Sequence, residues 1–150
     1  MSLRTIEIAC HLDAEPDRVW QTVLRPATMV HVARPWVEIV PIDLPQWPET
    51  WASGLYRARL TGPLGVPLGF QIIGVEFPPT DGPARCLRDN GEGQLARTWD
   101  HLITVEPEGR GTRYCDRLAL DAGGLTGVAV PMVRAFFRHR QRRLAWLLSG

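Results

Sequence analysis

The chain has 150 residues and a mass of 16.8 kDa, which is the size of one ordinary domain. Its hydrophobic fraction of 45% and charged fraction of 22% are close to globular averages, which excludes disorder, coiled coils and collagen-like repeats. The net charge of +1 lacks the basic excess of a general nucleic-acid binder, and no run of apolar residues is long enough to span a membrane.

The cysteines and histidines indicate neither disulfides nor a metal centre. Cys10, Cys86 and Cys115 are odd in number and lack CxxC spacing, and the N-terminus lacks the pattern of a signal peptide, so we expect a cytoplasmic protein. The histidines show neither HxH nor HExxH spacing, and the GPLGVPLG stretch lacks the GK[ST] of a phosphate-binding loop. We therefore expect no metal ion and no cofactor.

The chain begins with an alternating segment that predicts a strand. Its apolar face is formed by Ile6, Ile8, Cys10 and Leu12. Asp13 is expected to cap a helix that opens at residues 14–16, and Pro26 is expected to end it. A second short helix is predicted over Ala27–Ala33, because the residue before Pro35 disfavours helical geometry.

From residue 36 to residue 122 the hydrophobic period is two, and each connection carries Gly or Pro turn chemistry. Short connections between consecutive strands predict antiparallel hairpins. The predicted strands are Trp36–Ile42, Trp51–Leu60, Val66–Phe77, Arg85–Asn90, Leu95–Val105 and Thr112–Leu120.

A long helix is predicted to close the chain, with Pro131 in its first turn. The helix face expected to meet the sheet carries Met132, Ala135, Phe136, His139, Arg143 and Leu147. The order β-α-α-β6-α predicts one α+β domain over residues 1–150. A strongly twisted seven-stranded antiparallel sheet that curls around one long helix leaves space for an internal cavity.

Local sequence patterns agree with a known fold. Residues 14–20, AEPDRVW, resemble the opening of the first helix in the START/Bet v I-like superfamily, also called SRPBCC. Residues 62–69, GPLGVPLG, resemble the turn after the third strand in its bacterial members. Trp99-Asp100-His101 and Gly111–Asp116 resemble the last hairpin of its polyketide cyclase/dehydrase-like subgroups. The resemblance implies the helix-grip fold and a site for an apolar molecule.

His101 and Asp116 are the most specific site candidates. Strand parity places His101 on the apolar face of the sixth strand and Asp116 on that of the seventh. A two-residue turn at Glu108-Gly109 would set them directly opposite each other, and a slip of two residues would leave them diagonal but within reach. The predicted His–carboxylate pair could brace the hairpin, contact a ligand or serve as the catalytic pair in a proton transfer.

Other side chains are predicted to line the same cavity. Four aromatic residues are expected on the concave face of the sheet, namely Trp51, Tyr56, Trp99 and Tyr114. The side chains expected to reach the cavity from the C-terminal helix are Met132, Phe136, His139 and Arg143. His139 and Arg143 could close the polar end of the cavity or be satisfied core residues. The basic stretch 138–143 is interpreted as a solvated helix face, with Arg140 or Arg143 able to reach Asp116.

The leading functional hypothesis is binding or transport of a small, mostly hydrophobic ligand, such as a lipid, polyketide or aromatic compound, without chemistry. An enzyme of the polyketide cyclase or aromatase type is the alternative. A protein-interaction module, with a filled interior and an exposed apolar patch, is the second alternative. We expect no nucleic-acid partner and no integral membrane association, and relatives suggest a monomer or homodimer.

Overall fold

The computed structural model describes residues 2–150. One strand is followed by two short helices, six further strands and a long helix, as predicted. The elements are β1 (Arg4–Leu12), α1 (Pro16–Val23), α2 (Pro26–Ala33), β2 (Glu38–Pro41), β3 (Gly54–Thr61), β4 (Pro67–Glu76), β5 (Arg85–Gly93), β6 (Thr98–Glu108), β7 (Gly111–Asp121) and α3 (Thr126–Leu148).

All seven strands form one antiparallel, curved sheet in the order β1-β7-β6-β5-β4-β3-β2. Strands β2 to β7 pair with their chain neighbours. From β3 to β7 the connections are too short for a parallel crossover, and the longer segment 42–53 also joins an antiparallel pair. Strand β1 pairs with β7 at the far edge, while α2 and β1 make the most extensive contacts with α3. This arrangement confirms the predicted helix-grip fold.

Alternation of apolar residues along the strands buries one face of the sheet against the helices. One buried cluster lies around α1 and the ends of β6 and α3, and includes Leu12, Val19, Val105 and Leu144. A second lies between β1, β7 and the middle of α3, and includes Ile6, Leu118, Leu120 and Phe137. Each fully buried side chain of this size stabilises the fold by roughly 1.5–3 kcal/mol.

Several element boundaries differ from those predicted. The strand expected over Trp36–Ile42 covers only Glu38–Pro41, and the strand expected to begin at Trp51 begins at Gly54. The sixth strand begins at Thr98 rather than Leu95, because a turn bond from the Gly93 N–H to the Ala96 carbonyl holds residues 93–96 out of the ladder. These differences move residues at the ends of strands into loops without changing the topology.

The predicted cap of α1 is wrong. The N-cap is Glu15, and no side-chain hydrogen bond caps the helix. Pro16 occupies the first turn, where its missing N–H has no intrahelical partner to lose. Pro26 has the same role in α2, which it begins, whereas α1 already ends at Val23.

The C-terminal helix begins five residues earlier than predicted, at Thr126, so Pro131 lies inside it. The Thr126 hydroxyl accepts a hydrogen bond from the Ala122 N–H and donates one to the Gly123 carbonyl, which secures the entry to the helix. The predicted sheet-facing side is also wrong by about one residue of rotation. The buried residues are Thr126, Phe137, Gln141, Leu144 and Leu148.

The register of the last hairpin differs from the predicted one by two residues. Glu108 pairs with Gly111, so the turn residues are Gly109 and Arg110 rather than Glu108 and Gly109. His101 therefore lies opposite Leu118, and Asp116 lies opposite Ile103. The parity of the two strands is unchanged, so both polar side chains still point to the buried face, one step apart along the diagonal.

Candidate functional site

A cavity of about 550 Å³ lies between the concave face of the sheet and the helices α2 and α3. Most of its wall is apolar, and representative side chains come from five different elements. These are Val32 of α2, Ile73 and Val75 of β4, Leu87 of β5, Ile103 of β6 and Leu144 of α3. A concave, largely apolar cavity of this size is typical of sites for small molecules.

The cavity is partly open to solvent. Three apolar residues of its wall are also substantially exposed, with relative exposures of 38% for Trp36, 59% for Leu95 and 66% for Met132. They come from the α2–β2 connection, the β5–β6 connection and the first half of α3. We take these three residues to mark the mouth through which a ligand would pass.

The predicted His101–Asp116 pair is formed despite the shifted register. His101 Nε2 lies 2.6 Å from Asp116 Oδ1, and both side chains are buried. The Tyr114 hydroxyl donates to the same carboxylate oxygen at 3.2 Å, and Gln141 Nε2 donates to the other oxygen at 3.0 Å. Gln141 Nε2 also donates to the Ile8 carbonyl at 2.9 Å, so this cluster joins β1, β6 and β7 to α3.

The electrostatics of this cluster favour an ionised carboxylate. Burial alone would raise the pKa of Asp116, but the hydrogen bond and the charge of His101 outweigh it and hold the pKa below its ordinary value. Burial, followed by the neighbouring Asp116 charge, raises the pKa of Tyr114 well above its ordinary value. Tyr114 therefore acts as a neutral hydrogen-bond donor.

A second carboxyl group, which is half-buried and was not predicted from the sequence, faces the cavity. Asp89 of β5 is the cross-strand neighbour of His101, and it lines the wall together with Leu87. Its Oδ1 accepts a hydrogen bond from the Gly74 N–H at 2.9 Å. Burial raises the pKa of Asp89 to about 7, although this hydrogen bond and the charge of Arg140 oppose the rise. Strand parity with Leu87 was the signal that could have identified Asp89.

Arg140 was predicted as a possible partner of Asp116, but it lines the cavity instead. Its guanidinium carbon lies 5.2 Å from the ring centre of Phe137 and 5.8 Å from that of Phe136. Within residues 2–150, no carboxylate oxygen approaches a guanidinium nitrogen of Arg140 to 4.0 Å. Arg140 and Asp89 are thus two of the polar groups, with Gln71 and His101 among the others, in a mostly apolar cavity wall.

The structure brings six of the predicted ligand-binding residues to the cavity wall. They are Trp51, Trp99, His101, Tyr114, Met132 and Phe136. Asp116 lies behind this wall, where it contacts His101 and Tyr114 and is 1% exposed. Tyr56 packs edge-on against Trp51, 5.0 Å between ring centres, and donates to the Ala52 carbonyl, so it supports the wall from outside.

The structure places neither His139 nor Arg143 in the cavity wall, and both have hydrogen-bond partners elsewhere. His139 Nε2 lies 2.7 Å from the Arg34 carbonyl oxygen, and the imidazole stacks on Trp36 at 5.3 Å. Arg143 donates to the His31 carbonyl at 3.1 Å. Both side chains therefore join α3 to α2 and its following loop, because the helix is rotated from the orientation that the sequence predicted.

Solved structures share this fold at low sequence identity. A crystal structure of a protein from Chromobacterium violaceum superposes with a TM-score of 0.67 at 15% identity, covering 97% of this chain and 98% of that one. A protein from Mycobacterium smegmatis gives 0.67 at 16% identity over 96% and 90%. The Bet v 1-like protein Ara h 8.0201 gives 0.63 at 8% identity over 99% of both chains. The chain therefore has the Bet v 1-like helix-grip fold.

The family is defined by sequence. Residues 10–148 match the model of the domain of unknown function DUF8410, and the chain belongs to that family. No curated protein matches the chain significantly. Within the described residues, no helix has both the length and the apolar character needed to cross a membrane.

Proposed function

We propose that this protein binds a small, mostly apolar molecule in the cavity between the sheet and α3, and holds or carries it without changing it. The observation that supports this function best is the cavity itself, which has a volume of about 550 Å³ and a largely apolar wall. The fold shared with Bet v 1-like proteins is compatible with such a role. A lipid, a polyketide or an aromatic compound would each suit this wall.

A cavity of this kind disfavours the protein-interaction module, which was expected to have a filled interior. Apolar side chains such as Leu64 and Val128 are exposed, yet the exposed Leu95 and Met132 belong to the cavity mouth and are accounted for by ligand entry. Ligand binding in the interior therefore explains both the cavity and the exposed apolar residues at its mouth.

The test compares two substitutions on the same strand. Leu60 of β3 lines the cavity, whereas Leu55 of the same strand is 77% exposed. Leu60→Trp should fill part of the cavity and weaken binding of an apolar fluorescent probe by at least about tenfold, equal to about 1.4 kcal/mol. Leu55→Trp should leave the probe affinity unchanged. Equal affinities of both variants and the wild type would refute binding in the cavity.

A second candidate is an enzyme of the polyketide cyclase or dehydratase type acting on the same bound molecule. The observation that favours it is Asp89, since a carboxyl group with a pKa of about 7 that faces an apolar cavity is suited to proton transfer. His101, which lines the cavity, would assist, whereas Asp116 would act only through His101. If the protein is an enzyme, it should convert a bound polyketide to a product, and Asp89→Asn should abolish that conversion. If it is a carrier, the bound molecule should be recovered unchanged.

A further inference from the structure

We infer that the ligand of this cavity is an apolar molecule that carries one carboxylate, which pairs with Arg140 and accepts a hydrogen bond from protonated Asp89. This inference rests on the proposed function and specifies the chemistry of its ligand. It follows from the placement of the Arg140 guanidinium group and the Asp89 carboxyl group in a wall that is mostly apolar.

Arg140 needs a hydrogen-bond acceptor once a ligand fills the cavity. A guanidinium group is always charged and can only donate hydrogen bonds, so it needs an acceptor wherever water is displaced. Among the described residues its nitrogens have no carboxylate within 4.0 Å, and its neighbours include the rings of Phe136 and Phe137. An apolar ligand that fills the cavity would displace the water around Arg140. Such a ligand binds well only if it brings an acceptor of its own.

A carboxylate is the acceptor that suits this position best. Its two oxygens match the two parallel N–H groups of a guanidinium, and a charged pair is stronger than a bond to a neutral carbonyl. A phosphate carries more charge and needs more donors, whereas Arg140 is the cationic side chain of the wall that has no acidic partner. Arg88, the other arginine there, is bound to Asp100 at 2.8 and 2.7 Å.

Asp89 supplies the second contact. Its Oδ1 is occupied by the Gly74 N–H, so Oδ2 is the atom free to carry a proton. The groups that face it are Gly74 from β4, His101 from β6 and Arg140 from α3, with Asp100 at a greater distance and bound to Arg88. When protonated, Asp89 donates a hydrogen bond to the ligand carboxylate. When ionised, it repels that carboxylate and competes for Arg140.

The inference predicts that binding takes up a proton. Because the pKa of Asp89 is about 7 in the absence of ligand, the affinity for a carboxylate should fall as the pH rises through neutrality. The fall should approach, but not exceed, about tenfold per pH unit for a single group. His101 is the cross-strand neighbour of Asp89 and lines the same cavity, so the two residues are tested with separate variants.

The test uses two matched pairs of probes and isothermal titration calorimetry. Dodecanoate is compared with dodecanol, and 2-naphthoate with 2-naphthol, so that the chain pair and the ring pair distinguish a fatty acid from an aromatic acid. Each acid stays ionised from about pH 6 to about pH 8, since a carboxyl group in water titrates near 4. At about pH 6.5 we expect at least one acid to bind about tenfold or more tightly than its alcohol.

The variants assign this preference to particular residues. Arg140→Gln should abolish the preference for the acid while leaving the affinity for the alcohol within about twofold, and Arg140→Lys should restore part of it. Arg138→Gln is the matched control, because Arg138 is exposed on the same helix. Asp89→Asn keeps the acceptor for Gly74 and an N–H donor, so it should flatten the pH profile without abolishing binding.

The outcomes separate the inference from the proposed function. If both dodecanol and 2-naphthol bind as tightly as their acids, or if the preference survives in Arg140→Gln, the inference is wrong and the proposed function stands. If none of the four probes binds, both are wrong. If Asp89→Asn keeps the full pH profile while His101→Gln flattens it, the role assigned to Asp89 is overturned.

Discussion

At the scale of single residues, the cluster around Asp116 is built to hold the sheet and α3 together. Every partner of its carboxylate is a protein group, and the side chain is 1% exposed. A buried acceptor with three donors stabilises the native state, while removing it leaves those donors unsatisfied. This geometry favours the bracing role over direct catalysis for Asp116, whereas His101 also reaches the cavity wall.

Asp116→Ala should therefore lower the free energy of unfolding by roughly 1–3 kcal/mol, because His101, Tyr114 and Gln141 would lose a buried acceptor. Urea denaturation monitored by tryptophan fluorescence measures this change. Asp13→Ala is the control, since the Asp13 side chain is 100% exposed, and its effect should stay within about 0.5 kcal/mol. Equal stabilities of the two variants would argue against the bracing role.

Asp89 is expected to make the free energy of unfolding depend on pH. Its folded-state pKa of about 7 lies above that of an unfolded aspartate, so the folded protein binds the extra proton between about pH 4 and about pH 7. The stability that this proton confers is complete below about pH 4, falls as the pH rises from about 4 to about 7 with a slope of at most about 1.4 kcal/mol per pH unit, and is lost above the folded-state pKa.

Asp89→Asn should remove this part of the pH dependence. We expect the difference in unfolding free energy between variant and wild type to shift in favour of the variant as the pH rises from about 5.5 to about 8. Urea titrations across that range measure it. If this difference stays constant with pH, Asp89 is ionised throughout the range and cannot be the proposed proton donor.

At the scale of elements, the inward-facing parity of the β6–β7 hairpin could be predicted from the sequence, whereas its register could not. The inward parity of His101 and Asp116 follows from period-two alternation and was predicted. The register depends on where a two-residue turn falls around Gly109, and the sequence allows a glycine at either turn position. The pair forms in the shifted register as well, because diagonal neighbours across a strand pair remain within reach of long side chains.

Gly109 gives a direct test of this turn. Its φ of 59° is in the left-handed region, which costs a residue with a Cβ about 1 kcal/mol or more. Gly109→Ala should lower the unfolding free energy by about that amount, whereas Arg110→Ala, at the second turn position, should change it little. Thermal unfolding of both variants measures the difference. Equal effects would place the left-handed residue elsewhere and favour another register.

The orientation of α3 could not be predicted for a different reason. Apolar residues and long arginine stems lie all around this helix, so two adjacent faces satisfy the helical period almost equally well. Pro131 was expected in the first turn, yet the Thr126 hydroxyl bonds begin the helix earlier. The resulting rotation brings Arg140 to the cavity, moves His139 and Arg143 to α2, and makes Gln141 the link to Asp116.

At the scale of the whole molecule, the order of elements and their turn chemistry were enough to predict the fold. The cavity was predicted as a consequence of that layout, but the presence of Asp89 and Arg140 in its wall was not. Periodicity reports that a residue faces inward, and it does not distinguish a packed interior from the wall of a cavity. That distinction depends on the curvature of the sheet and on the rotation of α3, which only the three-dimensional arrangement gives.

The central claim is that a small apolar molecule occupies this cavity, and native mass spectrometry tests it most directly. The purified protein is incubated with dodecanol, dodecanoate, 2-naphthol and 2-naphthoate, freed of excess ligand, and compared with its denatured mass. We predict a complex of one molecule per chain in the native spectrum, lost on denaturation and reduced in Leu60→Trp but not in Leu55→Trp. A native spectrum that holds only the unliganded mass, or complexes equally abundant in both variants, would contradict the claim.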